Sequence, residues 1–142
     1  MLALEIEKSD VKSFMGKLLR ENLFDGFEAR LIEITTNTRI TIDGAIESEA
    51  AMWSAMRPLI YEIIKLCPKP RQIKIVFAQK NPYEIHTNAA ALFLNLIYEN
   101  DNVTFTTATA KKEFTMDKIL DNAWDNHIRE FFAKTGIDLE GR

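Results

Sequence analysis

Three carboxylates, Asp117, Asp121 and Asp125, recur at four-residue spacing near the end of the sequence. On a helix that spacing stacks them along one face, where like charges repel by roughly 0.2–0.5 kcal/mol per pair. A hard cation such as Mg²⁺, which takes one or two carboxylates plus waters, would relieve that repulsion. A small metal-dependent enzyme using this face, with Asp43 or His127 as a further group, is one chemistry the stripe can support. The plainer expectation is a solvated face, with Asp117 serving the helix N-terminus and the other two paired to Lys118 or Arg129. No fourth ligand stands at a fixed spacing, so no metal is assigned and no cofactor is expected.

His127 lies on an apolar stripe beside Trp124 and Phe131. It reads as a hydrogen-bonded, partly buried imidazole, with a general base as the alternative. Positions 123 and 131 are Ala and Phe, so a helical metal pair with His127 fails. Asn95 interrupts an apolar run between Leu94 and Leu96. An amide there must find a partner or cost roughly 1–3 kcal/mol; it bonds a neighbouring strand or turn, or it contacts a ligand on the sheet face. Trp53 and Trp124 both fall on helical apolar faces and are expected in the core. Cys67 is the single cysteine, so it makes no internal disulfide and fits a reducing compartment.

Charge narrows the function classes. Basic residues number 18 and acidic residues 21, a net charge of −3. Dedicated nucleic-acid binders are usually strongly basic. The exception is local: Lys65, Lys69, Arg71, Lys74 and Lys80 form a run without an acid, and Lys8, Lys12, Lys17 and Arg20 flank the first helix. Such clusters are usually solubilising, with an anionic partner as the other reading. There is no phosphate loop, no GxGxxG turn, no CxxC pair, no GxSxG elbow and no HExxH helix. The longest apolar run, Ala89 to Leu94, is far too short to cross a bilayer. The N-terminal residues lack the basic and apolar regions of a signal peptide. The expectation is a cytoplasmic protein with no membrane partner.

The elements that must position these groups follow from periodicity. Leu2, Leu4 and Ile6 alternate with polar neighbours as a strand, and Val11, Phe14, Met15, Leu18 and Leu19 recur as one helical face. Ser9 or Asp10 can cap that helix. Phe24-Asp25-Gly26-Phe27 reads as a turn, with Gly26 free to take positive φ. Two strands meet around Asn37, and Asp43-Gly44 marks the next turn. A helical pattern runs from Met52 to Ile64, where Pro58 predicts a kink or two pieces. Ile73 to Phe77 is a strand, residues 79–88 a loop, and Leu92 to Tyr98 a strand apolar on both faces, hence central. Val103 to Thr109 returns as a threonine-rich strand that leaves one sheet face hydroxylated. A short strand around Phe114 precedes the last helix, which Thr115 can cap and Thr135-Gly136 stops. The order β-α-β-β-α-β-β-β-(β)-α implies an α+β fold. It has mainly antiparallel sheet, about six to seven strands, and three helices. Residues 1–135 form one domain and 136–142 a loose tail.

Three groups of residues carry a family resemblance. One is Ile34-Thr35-Thr36-Asn37-Thr38 with Thr41-Ile42-Asp43-Gly44. The second is Phe93-Leu94-Asn95 with Tyr98-Glu99-Asn100. The third is Thr106-Thr107 with Phe114-Thr115-Met116-Asp117 and Ala123-Trp124-Asp125. Together they resemble a small bacterial family of single-domain proteins of unknown function, from about Leu2 to Phe132, with 67–90 the least similar stretch. The resemblance implies a single compact domain and transfers no chemistry. Three functions therefore stand as expectations. The first is a non-enzymatic interaction module, self-associating as a homo-oligomer. The second is a nucleic-acid-associated accessory domain, since the element order loosely resembles the repeated unit of sliding clamps. The third is the metal-dependent enzyme.

Overall fold

Strict alternation makes the central strands one-sided. Ile73, Ile75 and Phe77 point to one face with Leu92, Leu94, Leu96, Val103 and Phe105, and all are buried. Their alternates, among them Lys74, Val76, Asn95, Ile97, Thr104 and Thr106, stand on the other face and are half-buried. A computed structural model describes residues 1–141. Its elements run β1 (Ala3–Ile6), α1 (Val11–Arg20), β2 (Glu28–Thr35), β3 (Arg39–Asp43), α2 (Trp53–Leu66), β4 (Gln72–Ala78), β5 (Ala89–Glu99), β6 (Asn102–Lys111), α3 (Ile119–Thr135) and β7 (Leu139–Gly141). The strands form one seven-stranded sheet in the order β3-β2-β4-β5-β6-β1-β7, antiparallel at every pairing. The fold is α+β, with β5 in the middle as expected, although the helices cover only one of its faces.

All three helices cover the same face. Phe14 of α1 and Phe132 of α3 both meet Phe105, and Trp53 of α2 meets Phe77 edge-on at 5.4 Å. Seven of the nine phenylalanines join one cluster there, and Phe24 is its hub, with Phe77 stacked at 5.0 Å and Phe131 edge-on at 5.2 Å. The turn that carries Phe24 is clamped from outside. Arg57 donates two parallel hydrogen bonds of 2.9 Å to Asp25, the planar fork geometry that fixes orientation. Gly26 does not need its expected freedom: Gly136, at the C-cap of α3, is the glycine with positive φ among the described residues.

Four local expectations are corrected. The strand expected around Phe114 does not form; residues 112–118 are an exposed loop. The seventh strand comes instead from residues 139–141, in the segment expected to be a loose tail, which pair with β1. Ile6 and Leu139 face each other there, so the segment gains both a ladder and an apolar contact. The helix over Pro58 is continuous, which overturns the two-piece alternative. Pro58 forfeits the bond to the carbonyl of Ser54, and both residues are on the exposed side of the helix, where the lost bond costs least. Neither Ser9 nor Thr115 caps a helix. Asp10 occupies the first N-cap without a side-chain bond, and Thr115 instead accepts from Lys111. Both sheet edges are short, five residues in β3 and three in β7, which discourages strand addition by another chain.

Candidate functional site

Asp121 and Asp125 lie against the sheet. Thr107 Oγ1 donates to Asp125 Oδ1 at 2.6 Å and accepts from the Leu2 amide at 2.8 Å. Thr109 Oγ1 donates to Asp121. The arithmetic explains the spacing. Four helical residues advance about 6.0 Å, and two strand residues advance about 6.8 Å, so carboxylates at i and i+4 match hydroxyls at i and i+2. The stripe staples α3 onto β6 in antiparallel sense. Asp117 stands apart and accepts from the Ile119 amide at 3.1 Å, as a helix N-terminus requires. Lys118 reaches Asp121 at 4.0 Å. Among the described residues no group of three His, Cys, Asp or Glu side chains could hold a metal ion. The threonines thus divide: Thr104 and Thr106 give the uncovered face its hydroxyls, while Thr107 is buried beneath α3.

His127 stacks on Trp124 at 5.5 Å and 13°. Burial pushes its pKa below the usual imidazole value; Lys134 also lowers it, and Glu130 opposes the shift. Unfolded, the ring takes up a proton near pH 6.5; folded, it resists until lower pH. The contribution is therefore fully present above about pH 6.5 and is lost as pH falls through the folded value. We expect the urea midpoint to fall between pH 7 and 5, and His127→Gln to flatten that slope. An unchanged slope in the variant would count against the burial of the ring.

Asn95 stands on the uncovered face, opposite Val76 on one side and Thr106 on the other. The five basic residues do not share one surface. Lys74 lies on the uncovered face opposite Glu33. Arg71 and Lys80 stand beyond opposite ends of β4, nine residues apart, which is roughly 30 Å of extended chain. Lys65 pairs with Glu62 at 3.7 Å, beside the ring of Tyr61. Lys69 donates to Asp101 at 2.8 Å, and the Tyr98 hydroxyl donates to the same oxygen at 2.9 Å. These bonds hold the Asp101 carboxyl below its usual range. Trp53 and Trp124 are fully buried, and the Trp124 indole donates to the Phe93 carbonyl at 2.8 Å.

Two features escaped the sequence reading. The first is the loop between β6 and α3. It exposes Phe114 by 85%, Met116 by 88% and Ile119, at the helix start, by 62%. The loop is held from beneath. Asn88 exchanges two hydrogen bonds of 2.9 Å with the Glu113 backbone, and Lys111 donates to the carbonyls of Thr115 at 2.8 Å and Asp117 at 3.0 Å. The second is a cavity of about 560 Å³ between α1, the end of α2 and the sheet. Its walls are Val11, Met15, Leu19, Ile64, Ile73 and Tyr98, and Lys8, Lys12 and Lys69 join Asp101 among its lining. The exposed Asn100-Asp101 turn, with φ of 53° and 59°, sets Asp101 there.

These features define an α+β domain built on one sheet, with an exposed apolar loop and a cavity. The model of a group described as Family of unknown function (DUF5721) matches residues 17–140, and the chain belongs to that family. No curated protein and no solved structure matches it. No helix among the described residues is long and apolar enough to cross a membrane.

Proposed function

We propose that this domain is a cytosolic, non-enzymatic interaction module that pairs with a second copy of itself through the loop between β6 and α3. The observation that carries the reading is a held loop with an apolar crest: Phe114, Met116 and Ile119 face solvent although the backbone beneath them is fixed. Aromatic residues and Met are enriched at interfaces, and a preorganised loop loses little entropy on binding. Charge favours a second copy as the occupant. Lys112 and Lys118 stand with Glu113 and Asp117 around the crest, two of each sign, all exposed. In a two-fold contact every pairing occurs twice, so a patch carrying both signs is able to complement its own copy. The half-buried free thiol of Cys67 suits a reducing cytosol.

The doubly substituted Phe114→Ser, Met116→Ser chain tests this. Central apolar anchors typically carry more than about 1–2 kcal/mol of binding, so the association constant should fall at least about tenfold. Both side chains are exposed, so the unfolding free energy of the chain should change by no more than about 1 kcal/mol, about 0.5 for each substitution. Sedimentation equilibrium reads the first quantity and urea titration the second. Association equal to that of the wild type would refute the assignment of the surface.

A further inference from the structure

The cavity beneath α1 is a second site, independent of the loop. Ligand pockets are typically about 300–1,000 Å³, mostly apolar, with a few convergent polar groups. This one holds about 560 Å³. Val11, Met15 and Leu19 supply one wall from successive turns of α1, and Ile64 and Ile73 supply the opposite wall from α2 and β4. The polar groups converge where Lys8, Lys12 and Lys69 reach solvent. Three ammonium groups face one carboxylate, and Asp101 already accepts from Lys69 and Tyr98. Among the described residues neither Lys8 nor Lys12 has a carboxylate within 4.0 Å, although each contributes to the same cavity and Lys8 lies close enough to act on Asp101.

We propose that this cavity binds a single-chain amphipathic carboxylate, a fatty-acid-class ligand, with its chain between α1 and the sheet and its head on Lys8 and Lys12. Apolar walls reward each methylene that leaves water, by about 0.8 kcal/mol, and two unpaired cations at the rim select a negative head. Lysine suits a small, partly hydrated carboxylate because it acts as a point charge without the fixed fork of arginine. The Asp101 carboxylate is bonded to Lys69 and also acts on Lys8, so it repels a head that would settle on Lys69 and leaves Lys12 of α1, with Lys8 beside it, to take the head. Neutral chains lose the charge contact, and short anions lose the walls.

Titration of the full chain with dodecanoate below its micelle concentration tests the proposal, with calorimetry and the melting temperature as readouts. We expect saturable binding of one dodecanoate per chain and a rise in melting temperature. Dodecanol should bind at least about tenfold more weakly, and butanoate not measurably. The doubly substituted Lys8→Glu, Lys12→Glu chain, altered only at exposed side chains, should lose at least about tenfold in affinity. Met15→Trp, which fills the cavity, should abolish binding. The Phe114→Ser, Met116→Ser chain should bind dodecanoate as the wild type does, so this proposal and the self-association reading fail separately. Absence of saturable binding, or equal binding by the charge-reversed chain, would overturn the proposal.

Discussion

Replacing Phe24 by alanine should remove about 3–5 kcal/mol of stability, the range for deleting a fully buried phenylalanine. Phe24 has no exposed surface, and its ring touches those of Phe14, Phe27, Phe77, Phe105, Phe131 and Phe132 within 6.3 Å. Apart from Phe27 of the same turn, these rings come from α1, β4, β6 and α3, so the void would open where the layers meet and could not collapse from one side. Domains have only about 5–15 kcal/mol in total, so roughly a fifth or more of the stability is at stake. Phe24→Leu should cost far less, because most of the volume remains. Urea unfolding of the two variants checks this, with the slope unchanged if the transition stays two-state. A loss under about 1 kcal/mol for Phe24→Ala would mean that the ring is not packed at the centre.

The second large effect is expected at Gly44. A Cβ there would stand 1.9 Å from the carbonyl oxygen of Ala29. That oxygen belongs to backbone, so no rotamer change relieves the clash. Gly44 is also bonded on both sides: its amide donates to Arg30 at 3.0 Å, and its carbonyl accepts from Ala51 at 2.8 Å. Gly44→Ala must therefore move β2 or the connection to α2, at a cost of about 3 kcal/mol, the upper part of the overpacking range. Gly26→Ala is the internal control. A Cβ at Gly26 meets nothing within 4 Å, so its stability should stay within about 1 kcal/mol of the wild type. Thermal unfolding of both variants separates the cases, since each kcal/mol moves the melting temperature by about 2–4 °C in a chain of this size. Equal melting temperatures for Gly44→Ala and the wild type would contradict the close approach.

These two residues also mark what the sequence could and could not disclose. Both stand in segments read correctly as turns, yet their weight comes from distant chain: five rings outside its turn for Phe24, a neighbouring strand for Gly44. Periodicity captures local geometry, so the one-sided strands, the central position of β5 and the stop at Gly136 were legible. The staple between α3 and β6 was half legible. The spacing of Asp121 and Asp125 was visible, and so were the threonines of β6. That four helical residues match two strand residues becomes meaningful only once the two elements are known to be neighbours. Phe114 misled because an apolar residue between polar ones mimics a strand edge. Its loop is fixed by Asn88, more than twenty residues away in sequence. Lys69 was grouped with its sequence neighbours, whereas the fold places it with Lys8 and Lys12 of the N-terminal segment.

Self-association through the β6–α3 loop is the central claim, and the mass in solution tests it most directly. Light scattering on a size-exclusion column, over a concentration range of about tenfold, should show the wild-type chain approaching twice 16.3 kDa as concentration rises. A mass fixed at 16.3 kDa across that range would contradict the claim.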